Sequence, residues 1–423
     1  MENRLVLGCI ADDFTGGSDA ASFLAAGGMR TVLLAGLPPE GFVLPEGTEA
    51  AVITLKSRTQ EPQEAVRDSL QALLWLKAAG ASRFYLKYCS TFDSTPRGNI
   101  GPVTDACLEE LGEAGTILCP ALPANGRTVK DGILYVKGVP LAESPMKDHP
   151  LTPMRESRIS LLMKPQGKYE CLELDREALS LPEEALRDRI AAFAAGKEHW
   201  YLVPDCETDA DAARITDCFG DMRFLTGGSG ILEPLGQRLK PENKTAYPVG
   251  KASAGTAGKA VLVAGSCSTA THAQTLWYEK QGGRTYRLSD VGILSGKENA
   301  ERIWEQVRDA EAPLVYAYDS PEGLAKKRDE DGRRLAAAIE DVLAQTVVRA
   351  VQDGAVRIIS AGGETSGAVT KALGYRAYFI GRSVAPGVPV MIPVENPKVR
   401  LVLKSGNFGQ EDFFARALAM TGE

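Results

Sequence analysis

The sequence predicts an α/β protein of two domains, each with a mainly parallel sheet flanked by helices. Three observations carry that expectation. Short apolar runs of strand length alternate with stretches of helical period along the chain. Several of those runs end in glycine- or serine-rich turns that lead into a helix, the position where open α/β sheets bind ligands. One mid-chain stretch, 239–258, loses its apolar period and gains Pro, Gly, Ala and Lys, which marks a domain boundary. The expected division is 1–238, a linker at 239–258, and 259–423.

Composition narrows the class. A chain of 423 residues with 44% hydrophobic and 24% charged residues is ordinary for a soluble globular protein of two or three domains. A net charge of −7 argues against nucleic acid as the main partner, while leaving an anionic substrate open. Eight cysteines without a CxxC pair suit a reducing cytosol and neither a disulfide framework nor a zinc site. No run approaches the roughly 18 apolar residues of a membrane helix. The start leads into a short strand and not into a secretory segment. A cytoplasmic location is expected.

In chain order, 5–11 is the first strand and runs into Asp12-Asp13-Phe14-Thr15-Gly16. A helix over 20–27 and a strand over 31–34 complete a β-α-β unit. One Asp at such a turn commonly caps the helix. Two beside Thr15 could also hold a substrate hydroxyl, hold magnesium, or act as a base. A strand over 51–55 leads to Lys56-Ser57-Arg58, and 62–79 is helical, with Ala65, Leu70, Leu73 and Leu76 on one side. The strand over 83–88 ends in a dense polar stretch, 89–101, holding Thr91, Asp93, Ser94, Arg97, Gly98 and Asn99. Lys87 and Arg97 there suit a carboxylate. The hydroxyls with Asp93 suit a polyol. Further strands are expected at 116–119, 133–136, 201–205 and 224–227. The proline-punctuated stretch 143–154 is irregular, and His149 within it is a packing or capping residue.

Beyond the linker, the strand at 260–264 is followed by Gly265-Ser266-Cys267-Ser268 and a helix over 272–281. A strand at 313–318 and an amphipathic helix over 335–351, with Leu335, Ile339, Val342, Val347 and Val351 near one face, come next. The strand at 356–360 leads through Gly362-Gly363-Glu364-Thr365-Ser366-Gly367 into a short helix, and the strand at 400–404 leads through Ser405-Gly406-Asn407-Phe408-Gly409 into the last one. Glycine lets backbone approach a ligand, and the N–H groups opening a helix attract negative charge. Three such turns converging on one sheet edge would make a nucleotide site, though none has Walker A spacing.

Together, Ala11-Asp12-Asp13-Phe14-Thr15-Gly16, Asp93-Ser94-Thr95-Pro96-Arg97-Gly98-Asn99, Gly265-Ser266-Cys267-Ser268, Gly362-Gly363-Glu364-Thr365-Ser366-Gly367 and Ser405-Gly406-Asn407-Phe408-Gly409 resemble the four-carbon acid sugar kinases. The likeness spans nearly the whole chain. The stretches 87–95, 98–103, 125–128 and 149–151 are most similar to the 3-oxo-tetronate kinase branch. Other branches more often carry Lys where this chain has Thr91.

The resemblance implies an N-terminal domain that binds the sugar acid, a C-terminal domain that binds ATP, and an active site in the cleft between them. The implied reaction is ATP-dependent phosphorylation of the 4-hydroxyl of 3-oxo-tetronate. D-threonate, L-threonate or D-erythronate are the alternative acceptors. Asp12 or Asp13 is the expected base, and Arg58, Lys87, Thr91, Asp93, Ser94, Arg97, Gly98 and Asn99 the expected sugar-acid contacts. ATP is expected on Ser266, Ser268, Gly362, Gly363, Glu364, Thr365, Gly406 and Asn407, with Mg2+ on ligands the sequence does not identify. Expected partners are the two small molecules, without nucleic acid or membrane, and a homodimer is compatible with the sequence. Two rivals predict other behaviour. A nicotinamide-dependent sugar-acid dehydrogenase or isomerase lacks its G-x-G-x-x-G fingerprint in the first β-α-β unit. A non-catalytic sugar-acid-binding regulator would show neither turnover nor nucleotide binding.

Overall fold

The computed structural model describes residues 5–149, 152–240, 255–317 and 330–422. The chain divides into two compact units, Met1–Thr245 and Ala246–Glu423. The greater part of the expected linker, 241–254, and Pro150, Leu151 and Tyr318 of other sequence-based expectations lie outside the described residues.

The first unit is built on eight parallel strands: β1 (Leu7–Ala11), β2 (Thr31–Ala35), β3 (Ala50–Thr54), β4 (Arg83–Lys87), β5 (Gly115–Cys119), β9 (Cys171–Leu174), β10 (Trp200–Pro204) and β11 (Phe224–Gly227). Their order across the sheet is β2-β3-β1-β4-β11-β5-β10-β9. Strands β1 and β3 are buried along their whole length, which explains their continuous apolar runs. Three short antiparallel strands, β6 (Arg127–Lys130), β7 (Ile133–Val136) and β8 (Val139–Pro140), form a separate small sheet.

Two features of this sheet position a site. Register aligns the strand ends, because Ala11 of β1 lies opposite Thr54 of β3 and Lys87 of β4, and Lys87 lies opposite Gly227 of β11. The chain also reverses direction across the sheet at β1 and β4. After β1 it passes through α1 (Phe14–Ala26) to β2 on one side. Strand β4, on the other side, leads to α3 (Ile100–Leu111). Helix α1 contacts the helix Leu232–Leu239, while α3 contacts α2 (Pro62–Ala78). Where successive helices part in this way, a crevice opens beyond the strand ends.

The second unit orders its strands β13-β14-β12-β15-β18-β17-β16. Strands β13 (Thr285–Arg287), β14 (Leu314–Tyr316), β12 (Ala260–Ala264), β15 (Arg357–Ala361) and β18 (Arg400–Lys404) are parallel. Strands β17 (Val388–Pro393) and β16 (Ala377–Ala385) extend the sheet in antiparallel fashion. Ala264, Ala361 and Lys404 are paired in register, so the three glycine- and serine-rich turns leave adjacent strands at one level.

The β16–β17 hairpin has no counterpart in the sequence-based reading. Gly381, Gly387, Pro389 and Pro393 interrupt its apolar pattern, and the pairing shifts register between Ile380 and Ala385. The long helix Glu330–Gln352 exceeds the expected 335–351. Its fully buried stripe is Leu335, Leu343, Val347 and Ala350, with Ile339, Val342 and Val351 only half-buried. The helix after β12 starts at Thr269, three residues before the expected position, because the Ser268 side chain caps it. His149 follows a 3-10 turn, and its Nδ1 lies 2.8 Å from the Thr152 hydroxyl, as a capping residue would. All eight cysteines are free thiols. No helix among the described residues is long and apolar enough to cross a membrane.

Candidate active site

Aligned strand ends put Asp12, the 3-10 turn Ser57–Thr59 and the loop after Lys87 side by side. Arg58 lies at their centre. Its Nε and Nη2 donate to the two oxygens of Asp12 at 2.9 and 2.8 Å. Its Nη1 lies 3.1 Å from Asp13 Oδ2 and 4.0 Å from Asp93 Oδ2. One guanidinium thus serves three carboxylates. The adjacent aspartates part here. Asp13 caps α1, accepting the Gly16 N–H at 2.6 Å and the Thr15 hydroxyl at 3.0 Å. Burial pushes the Asp13 carboxyl up, but Arg58, Lys87 and those two hydrogen bonds outweigh it and hold it below the ordinary carboxylate range. Asp12 lacks the turn's donors, and burial carries it above that range despite Arg58.

The loop carrying Asp93 is held in an uncommon backbone shape. Phe92 and Asp93 both have positive φ, 65° and 51°, a region that Asp tolerates and Phe rarely enters. Phe92 is buried edge-on against the Tyr88 ring at 5.8 Å, which offsets the strain. Asp93 Oδ1 accepts the Thr91 hydroxyl at 2.9 Å. Asn99 ties this loop to the Arg58 turn, its Nδ2 donating to Ser57 O at 2.6 Å and Gln60 O at 2.8 Å. The buried Asn99 Oδ1 has no hydrogen-bond partner among the described residues.

Asp12, Arg58, Asp93, Ser94 and Asn99 line one pocket, together with Ser57, Tyr88 and Val103. Five expected contacts are thereby brought together around an acceptor-rich wall that suits hydroxyl donors. The others stand outside that lining. Thr91 supports Asp93 from a buried position. The exposed Arg97 offers nothing to the pocket wall. Gly98 abuts Ser94, whose Oγ would lie 2.0 Å from a Cβ at that position. Lys87 points into the protein. Its Nζ donates to Tyr88 O at 2.9 Å and lies 3.9 Å from Asp19 Oδ2, an oxygen that also accepts the Ser229 hydroxyl.

Sequence reasoning missed Gln166, Asp19 and Ser229. Gln166 Oε1 accepts from Ser94 Oγ at 2.8 Å and from the Gly101 N–H at 3.1 Å. Both arrangements join residues far apart in the chain, so no local motif announces them.

In the second unit, Gly362 has φ +128°, and its N–H donates to Lys404 O at 2.9 Å. A Cβ there would lie 2.9 Å from Thr365 Oγ1 and 3.2 Å from Ser266 N. Gly362 therefore carries the conformational demand of this turn, whereas Gly363 has open space around it. Gly363, Glu364 and Thr365 form the first turn of the helix Gly363–Leu373, where N–H groups have no intrahelical acceptor and face an incoming anion. The Ser268 hydroxyl is already engaged, donating to Gly406 O at 2.6 Å. The same carbonyl receives Thr271 Oγ1 at 2.9 Å and Lys404 Nζ at 3.1 Å. Gly406 sits so close to Ser266 that a Cβ would lie 2.3 Å from its Oγ. Asn407 is exposed. Thr271 and Lys404 were also missed, although a lysine directly after the apolar run Leu401–Leu403 of β18 is a visible signal.

Among the described residues no group of three or more His, Cys, Asp or Glu could hold a metal ion.

Comparison with known proteins gives this geometry a context. Residues 7–235 match a family model described as a sugar-binding N-terminal domain, and residues 261–414 one described as a nucleotide-binding C-terminal domain. A 3-oxo-tetronate kinase of Pectobacterium atrosepticum is 42% identical, over 97% of this chain and 98% of the relative. One of Brucella melitensis is 40% identical over 97% and 94%. A solved structure from Salmonella typhimurium LT2, described as a tRNA synthase, superposes with a TM-score of 0.88 at 39% identity, covering 98% of each chain. The chain belongs to the family that joins a sugar-binding N-terminal domain to a nucleotide-binding C-terminal domain, the four-carbon acid sugar kinases.

Proposed function

We propose that this protein is an ATP-dependent 3-oxo-tetronate kinase that phosphorylates the 4-hydroxyl of its substrate. The observation carrying the reading is the near-full-length likeness to kinases of that name at about 40% identity. The acceptor-rich pocket supports it, because a tetronate presents several hydroxyls to such a wall. A tRNA ligand has less support, since the net charge is −7.

The sugar-acid domain is assigned to 1–238 and the nucleotide domain to 259–423, with 239–258 between them. Asp93, Ser94 and Asn99 orient the sugar hydroxyls. Asp12 takes the proton of the attacking hydroxyl, and its raised pKa suits a base working near neutrality. Asp13 holds Arg58 and the turn. Ser266 and the N–H groups of Gly363, Glu364 and Thr365 receive the phosphates, while Ser268 and Gly406 fix the turns. Mg2+ would come with the nucleotide and would neutralise phosphate charge, and among the described residues no cluster of His, Cys, Asp or Glu offers it a separate site. In-line transfer requires both ligands to meet, so a cleft between the domains and a cytoplasmic enzyme complete the proposal, with self-association as a homodimer left to a sedimentation measurement.

An ATP-consumption assay over the 3-oxo-tetronates, threonates, erythronates and one five-carbon acid tests this. Highest kcat/KM is expected with a 3-oxo-tetronate. Highest turnover with threonate or erythronate would move the protein to another branch. Absence of turnover with every four-carbon acid would overturn the kinase reading.

A further inference from the structure

Lys404 closes β18 and is 1% exposed. Its ammonium donates to Thr271 Oγ1 at 2.8 Å, Gly406 O at 3.1 Å and Ser405 O at 3.3 Å. All three of its protons are thereby used on neutral oxygens. Among the described residues no carboxylate pairs with it, and the ring of Phe413 lies 5.5 Å away. Burying an ammonium without a counter-ion is unfavourable, because water solvates the charge better than neutral oxygens do. A neutral Gln could donate within the turn without that cost. The retained charge therefore calls for an anion that arrives later. Its surroundings say where. Gly406, which it holds, abuts Ser266, and Thr271 lies in the first turn of the helix capped by Ser268. Gly362 donates to the carbonyl of Lys404 itself.

We propose that Lys404 is the positioning residue of the nucleotide turns, clamping Ser405–Gly406 against the Thr271 helix and supplying a positive charge that the nucleotide phosphates stabilise on binding. The inference rests on the kinase reading above. The strand, helices and turn packed around β18 carry Arg357, Glu364, Lys371, His272, Asp412 and Arg416. None of them contributes to its shift. Burial alone brings Lys404 down to about 7.

Two consequences follow by linkage. Phosphates raise the pKa of the lysine, so ATP binding takes up protons, and affinity falls as pH rises through 7. Without nucleotide the unfolded chain holds this proton more tightly than the folded one, so stability rises with pH from about 7 toward the ordinary lysine range.

Calorimetric titration of the full chain with MgATP, in buffers of different ionisation enthalpy, tests the proposal together with thermal melting. Lys404→Met is expected to melt no lower than wild type at pH 7, to bind ATP roughly tenfold more weakly, and to lose the difference in proton uptake. Its KM for the sugar acid should hold. Wild-type ATP affinity in the variant overturns the inference, as does a parallel loss of melting temperature with proton uptake intact. Should Lys404→Met not fold, wild type decides alone: binding without proton uptake between pH 7 and 8 overturns it, and uptake supports it. A wild type that turns over tetronates but fails these criteria leaves the kinase reading standing. A wild type that binds no ATP removes both.

Discussion

Asp13 commits both carboxylate oxygens to its own turn and to Arg58, whereas Asp12 has only Arg58 and faces the pocket. Asp12→Asn should therefore lower kcat on the order of 10²-fold or more, as loss of a general base does, and leave KM for ATP unchanged. The acid limb of the wild-type kcat profile should lie above the ordinary aspartate range, because burial raises Asp12 and the base must be ionised. Asp13→Asn should cost about 1 kcal/mol as a weakened cap and ion pair. The stabilisation from Asp13 is full above the ordinary aspartate range and is lost as pH falls through its depressed pKa. Steady-state kinetics and melting curves on both variants check this assignment. Equal loss of kcat in both would dissolve the division of labour and turn attention to Asp93.

At the scale of elements, the strand-to-helix turns bear the function, and glycine placement distinguishes them. Gly362→Ala forces a Cβ into positive φ against Thr365 and Ser266, a cost of about 1–3 kcal/mol, and should weaken ATP binding. Gly363→Ala has room within the protein and should keep or raise stability, since Ala favours a helix, while obstructing the phosphate approach. Melting and ATP titration of the pair separate strain from obstruction. Unchanged ATP affinity in both would remove this turn from the nucleotide site. These turns were legible because each follows a continuous apolar run and precedes a helix start, signals only a few residues long. The antiparallel hairpin was not, because its glycines and prolines break the period that marks a strand. Asp12, Asp93 and Asn99 were legible as polar groups at strand ends. That Lys87 points inward to Asp19, that Gln166 supports Ser94, and that Ser268 is used up on Gly406 depend on contacts across 68, 72 and 138 positions. No local pattern encodes such contacts.

For the whole molecule, two units with separate polar centres predict separable ligand footprints. In hydrogen exchange on the intact chain, MgATP alone should slow amides around 264–271, 361–366 and 404–409. The sugar acid alone should slow those around 11–16, 56–60 and 91–101. Protection of the first set by the sugar acid alone, or of the second by ATP alone, would contradict the assignment of ligands to units.

The left-handed pair Phe92–Asp93 bears on how this loop varies among descendants of the sequence. Only a few residue types adopt that backbone easily, chiefly Gly, Asn and Asp, and of these only Asp brings a carboxylate. Phe92 must in addition stay aromatic enough to fill the space beside Tyr88. Position 93 is thus filtered twice, first by conformation and then by charge. Drift there passes through Asn or Gly, changes that preserve the loop while removing its carboxylate.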